Sequence, residues 1–222
     1  LLNSNSRKEI IASRKLEFIN VRVVNIAENS AMTFLSNIVE HLNVNFVKCQ
    51  FRNIPCVLNI TINSQDFALK YIMLNVFIYN SNFEQRPGHH HTRAIEIVTK
   101  GPRSILIAAN INIRNCNFSN HFSESGSALY IKFQPYISID NKKPLIIIKH
   151  SIFINNLCKN LGGSIYIGEH IMAQIVNCTL HVTEELLATQ RVENILSVNK
   201  GIFIVSLSSV KIIDSDFRYD II

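Results

Sequence analysis

Between Asn110 and Ile131 the chain reads NINIRNCNFSNHFSESGSALYI, and its apolar residues stand at fixed distances from Phe118. Ile111 lies seven residues before Phe118, Ile113 five before and the small Cys116 two before, while Leu129 and Ile131 form a second apolar pair after it. Moving this template along the chain finds further anchors at Val23, Phe51, Phe83, Phe153, Leu180 and Phe217. Seven before the anchors stand Leu16, Val44, Val76, Ile111, Ile146, Ala173 and Val210; five before stand Phe18, Phe46, Ile78, Ile113, Ile148, Ile175 and Ile212. Two before, the column is almost entirely Cys or Ser: Val21, Cys49, Ser81, Cys116, Ser151, Cys178 and Ser215. The second pairs are Met32/Phe34, Leu58/Ile60, Ile95/Ile97, Leu129/Ile131, Ile165/Ile167 and Ile202/Ile204. Each encloses an outward residue: Thr33, Asn59, Glu96, Tyr130, Tyr166 or Phe203.

Period-2 alternation of β-branched and aromatic residues describes strands with one face buried. The alternation breaks between the fifth and second residues before each anchor, so the chain must bend there. The bend position is held by Asn20, Lys48, Asn80, Asn115, His150, Asn177 and Asp214. Asn and Asp tolerate left-handed backbone and bond to neighbouring peptide groups, which suits a repeated corner. Strand, bend, strand, loop and strand, repeated at intervals of 27 to 37 residues, predict an all-β, right-handed parallel β-helix of about seven coils. The whole chain, 1–222, reads as a single β-helix domain and as a segment of a longer solenoid that continues into further coils. Residues 181–198 read as a protruding loop insertion, in which Thr183 is placed to cap a helix over 184–196.

One coil carries two short motifs, Phe153-Ile-Asn-Asn156 and Gly162-Gly163-Ser164-Ile165. Together they resemble the paired FxxN and GGA[ILV] motifs of polymorphic outer membrane protein repeats, and more broadly the coils are similar to the right-handed β-helix, pectin-lyase-like superfamily. Phe118-Ser-Asn-His121 with Gly126-Ser-Ala-Leu129 is a partial second match. The resemblance implies a surface-exposed, adhesin-like solenoid that forms part of a longer polypeptide. The fold leaves function open, because lyases, hydrolases and adhesins share it.

Composition narrows the picture in a few places. The hydrophobic content of 47% excludes a disordered chain. A formal charge of +6 is spread thinly over the sequence, where nucleic-acid binding favours a concentrated basic stripe. No run of about 18 apolar residues occurs, so any membrane attachment would come from segments outside this chain. Sequons stand at Asn59, Asn117 and Asn177, but 26 asparagines with 27 serines and threonines in 222 residues predict about three by chance.

Candidate chemistry is sparse. The five aspartates, Asp66, Asp140, Asp214, Asp216 and Asp220, form no cluster across neighbouring coils, and Asp214-x-Asp216 faces Asn177 and Thr179 one coil earlier. A lyase or hydrolase of this fold needs carboxylates gathered on one face. His89-His90-His91 lies in a loop, with His121 on the following coil; three consecutive imidazoles cannot all face one ion, so the run reads as solvated. The five cysteines read as reduced, with Cys49, Cys116 and Cys178 in one buried column separated by serine coils. No catalytic, cofactor-binding or metal residues are assigned, and no cofactor is expected. The ligand face is the column four before the anchors, where Tyr79, Arg114 and Lys149 stack on consecutive coils. An aromatic beside two cations suits a glycan or protein ligand, with an acidic glycan the natural fit. Tyr130, Tyr166 and Phe203 form a second outward row, read as stabilising the stack. The functional expectation is a non-catalytic structural or adhesive module of a larger surface-exposed protein, extracellular or at the cell surface. The alternatives are a polysaccharide-binding or polysaccharide-cleaving enzyme and an intracellular scaffold, the last suited to unpaired thiols.

Overall fold

The structure is a computed structural model that describes residues 13–24, 30–36, 41–63, 71–86, 92–100, 105–133, 136–137, 143–183, 199–200, 202–204 and 208–219. It is an all-β parallel solenoid, with no helix among the described residues. The first sheet runs in the order Ser13–Ile19, His41–Val47, Tyr71–Tyr79, Ile105–Arg114, Leu145–Lys149, Met172–Val176 and Ser209–Ile213, and Tyr136–Ile137 also pairs with the fourth of these. The second consists of the short strands that carry the anchors, from Arg22–Val24 to Asp216–Tyr219. The third orders Ser30–Ser36, Cys56–Asn63, Arg93–Lys100, Leu129–Lys132, Ile165–Ile167 and Ile202–Ile204. A fourth sheet joins Phe122–Ser125, Leu157–Leu161 and Asn199–Lys200, the last pair antiparallel. Turns followed without a break through the first three sheets number about three, at 41–63, 105–133 and 143–183, fewer than the about seven that the repeat template predicts. In each remaining coil at least one pass between sheets runs through residues outside the described set.

Register follows the hydrophobic columns residue for residue. Val23, Phe51, Phe83, Phe118, Phe153, Leu180 and Phe217 are successive partners along the second sheet. Ile78, Ile113, Ile148 and Ile175 are successive partners in the first, and Ile95, Leu129 and Ile165 in the third. All seven are fully buried. Parallel in-register pairing places each side chain about 4.8 Å above its equivalent, so a column of like residues packs as a continuous rod. The phenyl rings show this best: Phe83, Phe118 and Phe153 lie nearly parallel, with centroids 4.7 and 4.9 Å apart.

Every bend position adopts left-handed backbone, with φ between 47° and 55° at Asn20, Lys48, Asn80, Asn115, His150, Asn177 and Asp214. A second corner, two residues after the anchor, is left-handed at Asn53, Asn120 and Asn155. Gly126 is a third type of turn. A Cβ there would stand 2.5 Å from the Leu129 carbonyl and 2.7 Å from Cβ of Tyr166, and its φ is +57°, so only glycine fits.

The Cys/Ser column has a hydrogen-bonding reason beyond size. The amide of Cys49 donates to Ser81 Oγ at 3.1 Å, that of Cys116 to Ser151 Oγ at 3.2 Å and that of Cys178 to Ser215 Oγ at 3.2 Å. The left-handed corner turns these amides away from the sheet ladder, and a buried N–H without a partner costs about 1–3 kcal/mol. A serine one coil on supplies the acceptor. His181 and Val182, expected within the loop insertion, belong to the strand Thr179–Val182. Residues 184–198, which include the expected helix over 184–196, lie outside the described residues.

Candidate functional site

The carbonyls behind the predicted ligand column are held from two sides. Tyr79 O accepts from the Lys48 amide at 3.0 Å and from Ser81 Oγ at 2.9 Å. Arg114 O accepts from the Asn80 amide at 3.0 Å and the Cys116 thiol at 3.1 Å, and Lys149 O from the Asn115 amide at 3.0 Å and Ser151 Oγ at 2.9 Å. The same interior column that closes each corner therefore fixes the backbone from which the three candidate side chains project. Tyr79, Arg114 and Lys149 are direct register partners on three successive strands.

Arg114 is exposed, and its guanidinium rests on the sheet by donating from Nε to Asn112 Oδ1 at 2.8 Å. Tyr79 and Lys149 are half-buried, and the Tyr79 ring stacks with Phe77 at a centroid distance of 6.3 Å. Two further columns run beside this one on the outer face. Asn45, Phe77 and Asn112 are in register, as are Asn43, Asn75 and Asn110, with Asn75 Nδ2 donating to Asn43 Oδ1 at 2.7 Å. On the other side the corner adds exposed Lys48 and His150. The column Asn45, Phe77 and Asn112, six before the anchors, and the column Asn43, Asn75 and Asn110, eight before them, escaped the sequence reading, and Lys48 was read there only as a bend residue.

Carboxylates are absent from the central strands of this face, and the edge strand Ser13–Ile19 carries Glu17, to which Asn45 Nδ2 donates at 3.0 Å. The five strands His41–Val47, Tyr71–Tyr79, Ile105–Arg114, Leu145–Lys149 and Met172–Val176 contain no Asp or Glu. On the edge strand of this sheet Lys15 meets Glu17 at 2.9 Å, and on the other sheets and loops Arg52 meets Glu84 at 3.3 Å, Arg93 meets Glu96 at 2.8 Å and Lys159 meets Glu124 at 3.0 Å. No such pair is found for Lys48, Arg114 or Lys149 among the described residues.

The other candidates separate from this face. His89, His90 and His91 lie outside the described residues. His121, expected on the coil beside them, is buried at 1% exposure. Its Nε2 meets Phe83 O at 3.3 Å, and since a carbonyl only accepts, Nε2 carries the proton, leaving Nδ1 without a partner. Burial depresses its pKa to about 4 from the ordinary 6.5, against a smaller opposing effect of the Phe83 carbonyl. Asn156 does the same work one coil on: Nδ2 donates to Phe118 O at 2.8 Å while Oδ1 accepts from the His121 amide at 3.1 Å. The last residue of the FxxN motif is thus an interior strut.

None of the five cysteines forms a disulfide, and burial pushes the Cys116 and Cys158 thiols up to about 11. Thiols so raised stay protonated and are poor nucleophiles at neutral pH. Asp214 forms a left-handed corner beside Asp216, and no group of three or more His, Cys, Asp or Glu side chains converges on a metal position among the described residues. On the third sheet Tyr130 and Tyr166 stack at 4.6 Å, with the Arg93 guanidinium 4.3 Å over the Tyr130 ring. Phe203 pairs in register with Tyr166, but its side chain lies outside the described set. No protein family, curated protein or solved structure matches this chain.

Proposed function

We propose that this chain is a non-catalytic structural or adhesive β-helix module of a larger surface-exposed protein, and that the first sheet is its ligand face. The observation that carries the reading is the alignment of Tyr79, Arg114 and Lys149 on consecutive strands of a face whose central strands hold no carboxylate. Such a surface is rigid before any ligand arrives, because its backbone is bonded both along the ladder and into the core, and a rigid surface binds without an ordering cost. The resemblance of Phe153–Asn156 and Gly162–Ile165 to polymorphic outer membrane protein repeats, within the pectin-lyase-like superfamily, supports an extracellular or cell-surface setting.

A second reading, a carbohydrate-active β-helix enzyme, draws on the third sheet, where Glu96 is held by Arg93 beside the stacked Tyr130 and Tyr166. One experiment separates the two. Purified protein is incubated with acidic and neutral polysaccharides, with and without calcium, while new reducing ends and unsaturated products are followed. The proposal expects neither. Product formation that disappears in Glu96→Gln would establish the enzyme instead. Labelling of intact against permeabilised cells with an antibody to the chain tests the surface setting, and signal confined to permeabilised cells would overturn it.

A further inference from the structure

We infer that Asn177 is the attachment point of an N-linked glycan, and that Asn59 and Asn117, the other two sequon asparagines, are closed to one. This deepens the extracellular reading and rests on it. Three sequons are no more than chance supplies, so their number decides nothing; the fold separates them by where it puts each one. An N-linked glycan is bulky and hydrated, so its asparagine must stand on the surface, and its side chain must be dispensable to the fold.

Asn59 and Asn117 meet neither requirement. Asn59 is half-buried in the strand Cys56–Asn63, between its register partners Thr33 and Glu96, and its Oδ1 accepts from Thr61 Oγ1 at 3.0 Å. Thr61, whose hydroxyl completes that sequon, is only 6% exposed. Asn117 is half-buried between Asn82 and Ile152 on the adjoining strands, with its Oδ1 out of reach of solvent, and Ser119 is buried. Each amide is crowded by side chains about 4.8 Å to either side, which a sugar would have to displace.

Asn177 differs on every count. It is exposed, at the left-handed corner between the first sheet and the second, with a φ of 49°. His150 and Asp214, which form the same corner one coil before and one coil after, are exposed too. The backbone amide of Asn177 donates to Ile213 O at 3.0 Å, so the fold already satisfies it without the side chain. Nδ2 lies 3.4 Å from His150 Nδ1, longer than an ordinary hydrogen bond and readily given up. Thr179 is half-buried in the outward column of the second sheet, beside exposed Ile152, while Cys178 between the two sequon residues is buried. The asparagine and the hydroxyl residue therefore both reach the outer surface. The modification is transfer of an oligosaccharide from a polyprenyl diphosphate donor. Nδ2 bonds to C1 of the first sugar, the C1–O bond to the diphosphate breaks, Nδ2 loses a proton and the lipid diphosphate leaves.

The test expresses the full chain behind a secretory leader in a eukaryotic cell line, which supplies donor and transferase. The secreted protein should carry one glycan, lose it to peptide N-glycosidase, and show by peptide mass spectrometry that the sugar stood on Asn177. Thr179→Ala, which leaves Asn177 and its corner in place, should abolish the mobility shift, and Thr179→Ser should keep it. Thr61→Ala and Ser119→Ala, which destroy the other two sequons, should leave it unchanged. Thermal unfolding before and after removal of the sugar should give the same midpoint, since the corner has room for it. Secreted protein unmodified at Asn177, a shift that survives Thr179→Ala, or a glycan on Asn59 or Asn117 of the folded protein overturns the site and leaves the extracellular reading standing. In the antibody labelling described above, signal confined to permeabilised cells overturns both.

Discussion

At the scale of single residues, the most informative side chain is His121. It sits three residues after its anchor, as Asn156 does, and both reach back to the carbonyl of the preceding anchor phenylalanine. An asparagine there satisfies both of its polar atoms; the histidine leaves Nδ1 bare in the core. Protonating that nitrogen would place a charge among apolar neighbours, which is why the folded pKa falls to about 4 while the unfolded chain keeps about 6.5. A base with a depressed folded pKa confers stability that is complete above pH about 6.5 and is lost as pH falls toward 4. The loss amounts to about 3 kcal/mol at most. Thermal melts between pH 7 and 4 should therefore show a falling Tm in the wild type. His121→Asn should flatten much of that fall, because it keeps the bond to Phe83 O and removes the titrating group. Identical pH profiles for the two proteins would show that His121 is not buried as described.

At the scale of elements, the corner decides what the sequence discloses. The columns seven, five and two before each anchor were legible because parallel in-register stacking demands the same residue class at the same offset on every pass. Ile111, Ile146 and Ala173 differ in size but not in kind. The corner itself was legible as an asparagine-rich position, and the left-handed φ at Asn80, Asn115 and Asn177 explains that preference. Lys48 and His150 occupy the same conformation with no such preference, so there the fold overrides local propensity. The second corner at Asn53, Asn120 and Asn155 went unread because the Phe83 coil has Gln85 instead, whose Nε2 donates to Ile54 O. The interior role of His121 follows from its offset, which it shares with Asn156, and its relation to the histidine run lies outside the described residues. The proposed ligand face was partly legible: its charged column followed from the offsets, but the weight of Phe77 and Asn112 depends on side-chain contacts that no offset specifies. The corner gives its own test. Asn115→Ala puts a Cβ-bearing residue without a useful side chain at φ 52° and should cost about 1–2 kcal/mol in denaturant unfolding, whereas Asn115→Gly should cost far less. Equal losses in the two variants would mean that the Asn115–Asn80 side-chain bond, at 3.1 Å, matters more than backbone conformation.

At the scale of the whole molecule, a parallel solenoid has no core shared by all its parts. Each coil buries its interior against the coil before and the coil after, so stability is a sum of local and nearest-neighbour contributions. Ile148 shows how strong that coupling is: it is fully buried, with Ile113 and Ile175 as its register partners. Ile148→Asp would place a carboxylate in that rod, where it has neither water nor a cation. An unpaired buried charge costs several kcal/mol, more than one coil can lose while remaining folded. The damage should follow the stack. Amide exchange is expected to rise sharply in Leu145–Lys149 and in the adjoining strands Ile105–Arg114 and Met172–Val176, and to stay near wild type in His41–Val47, which has the Tyr71–Tyr79 strand between it and the affected coils. Ile148→Val, which removes one methylene and adds no charge, should cost only about 0.5–1.5 kcal/mol and leave that exchange pattern in place. Uniform loss of protection from Ser13 to Tyr219 in the aspartate variant would show that the molecule unfolds as one cooperative unit, and a wild-type exchange pattern would refute the register of the first sheet.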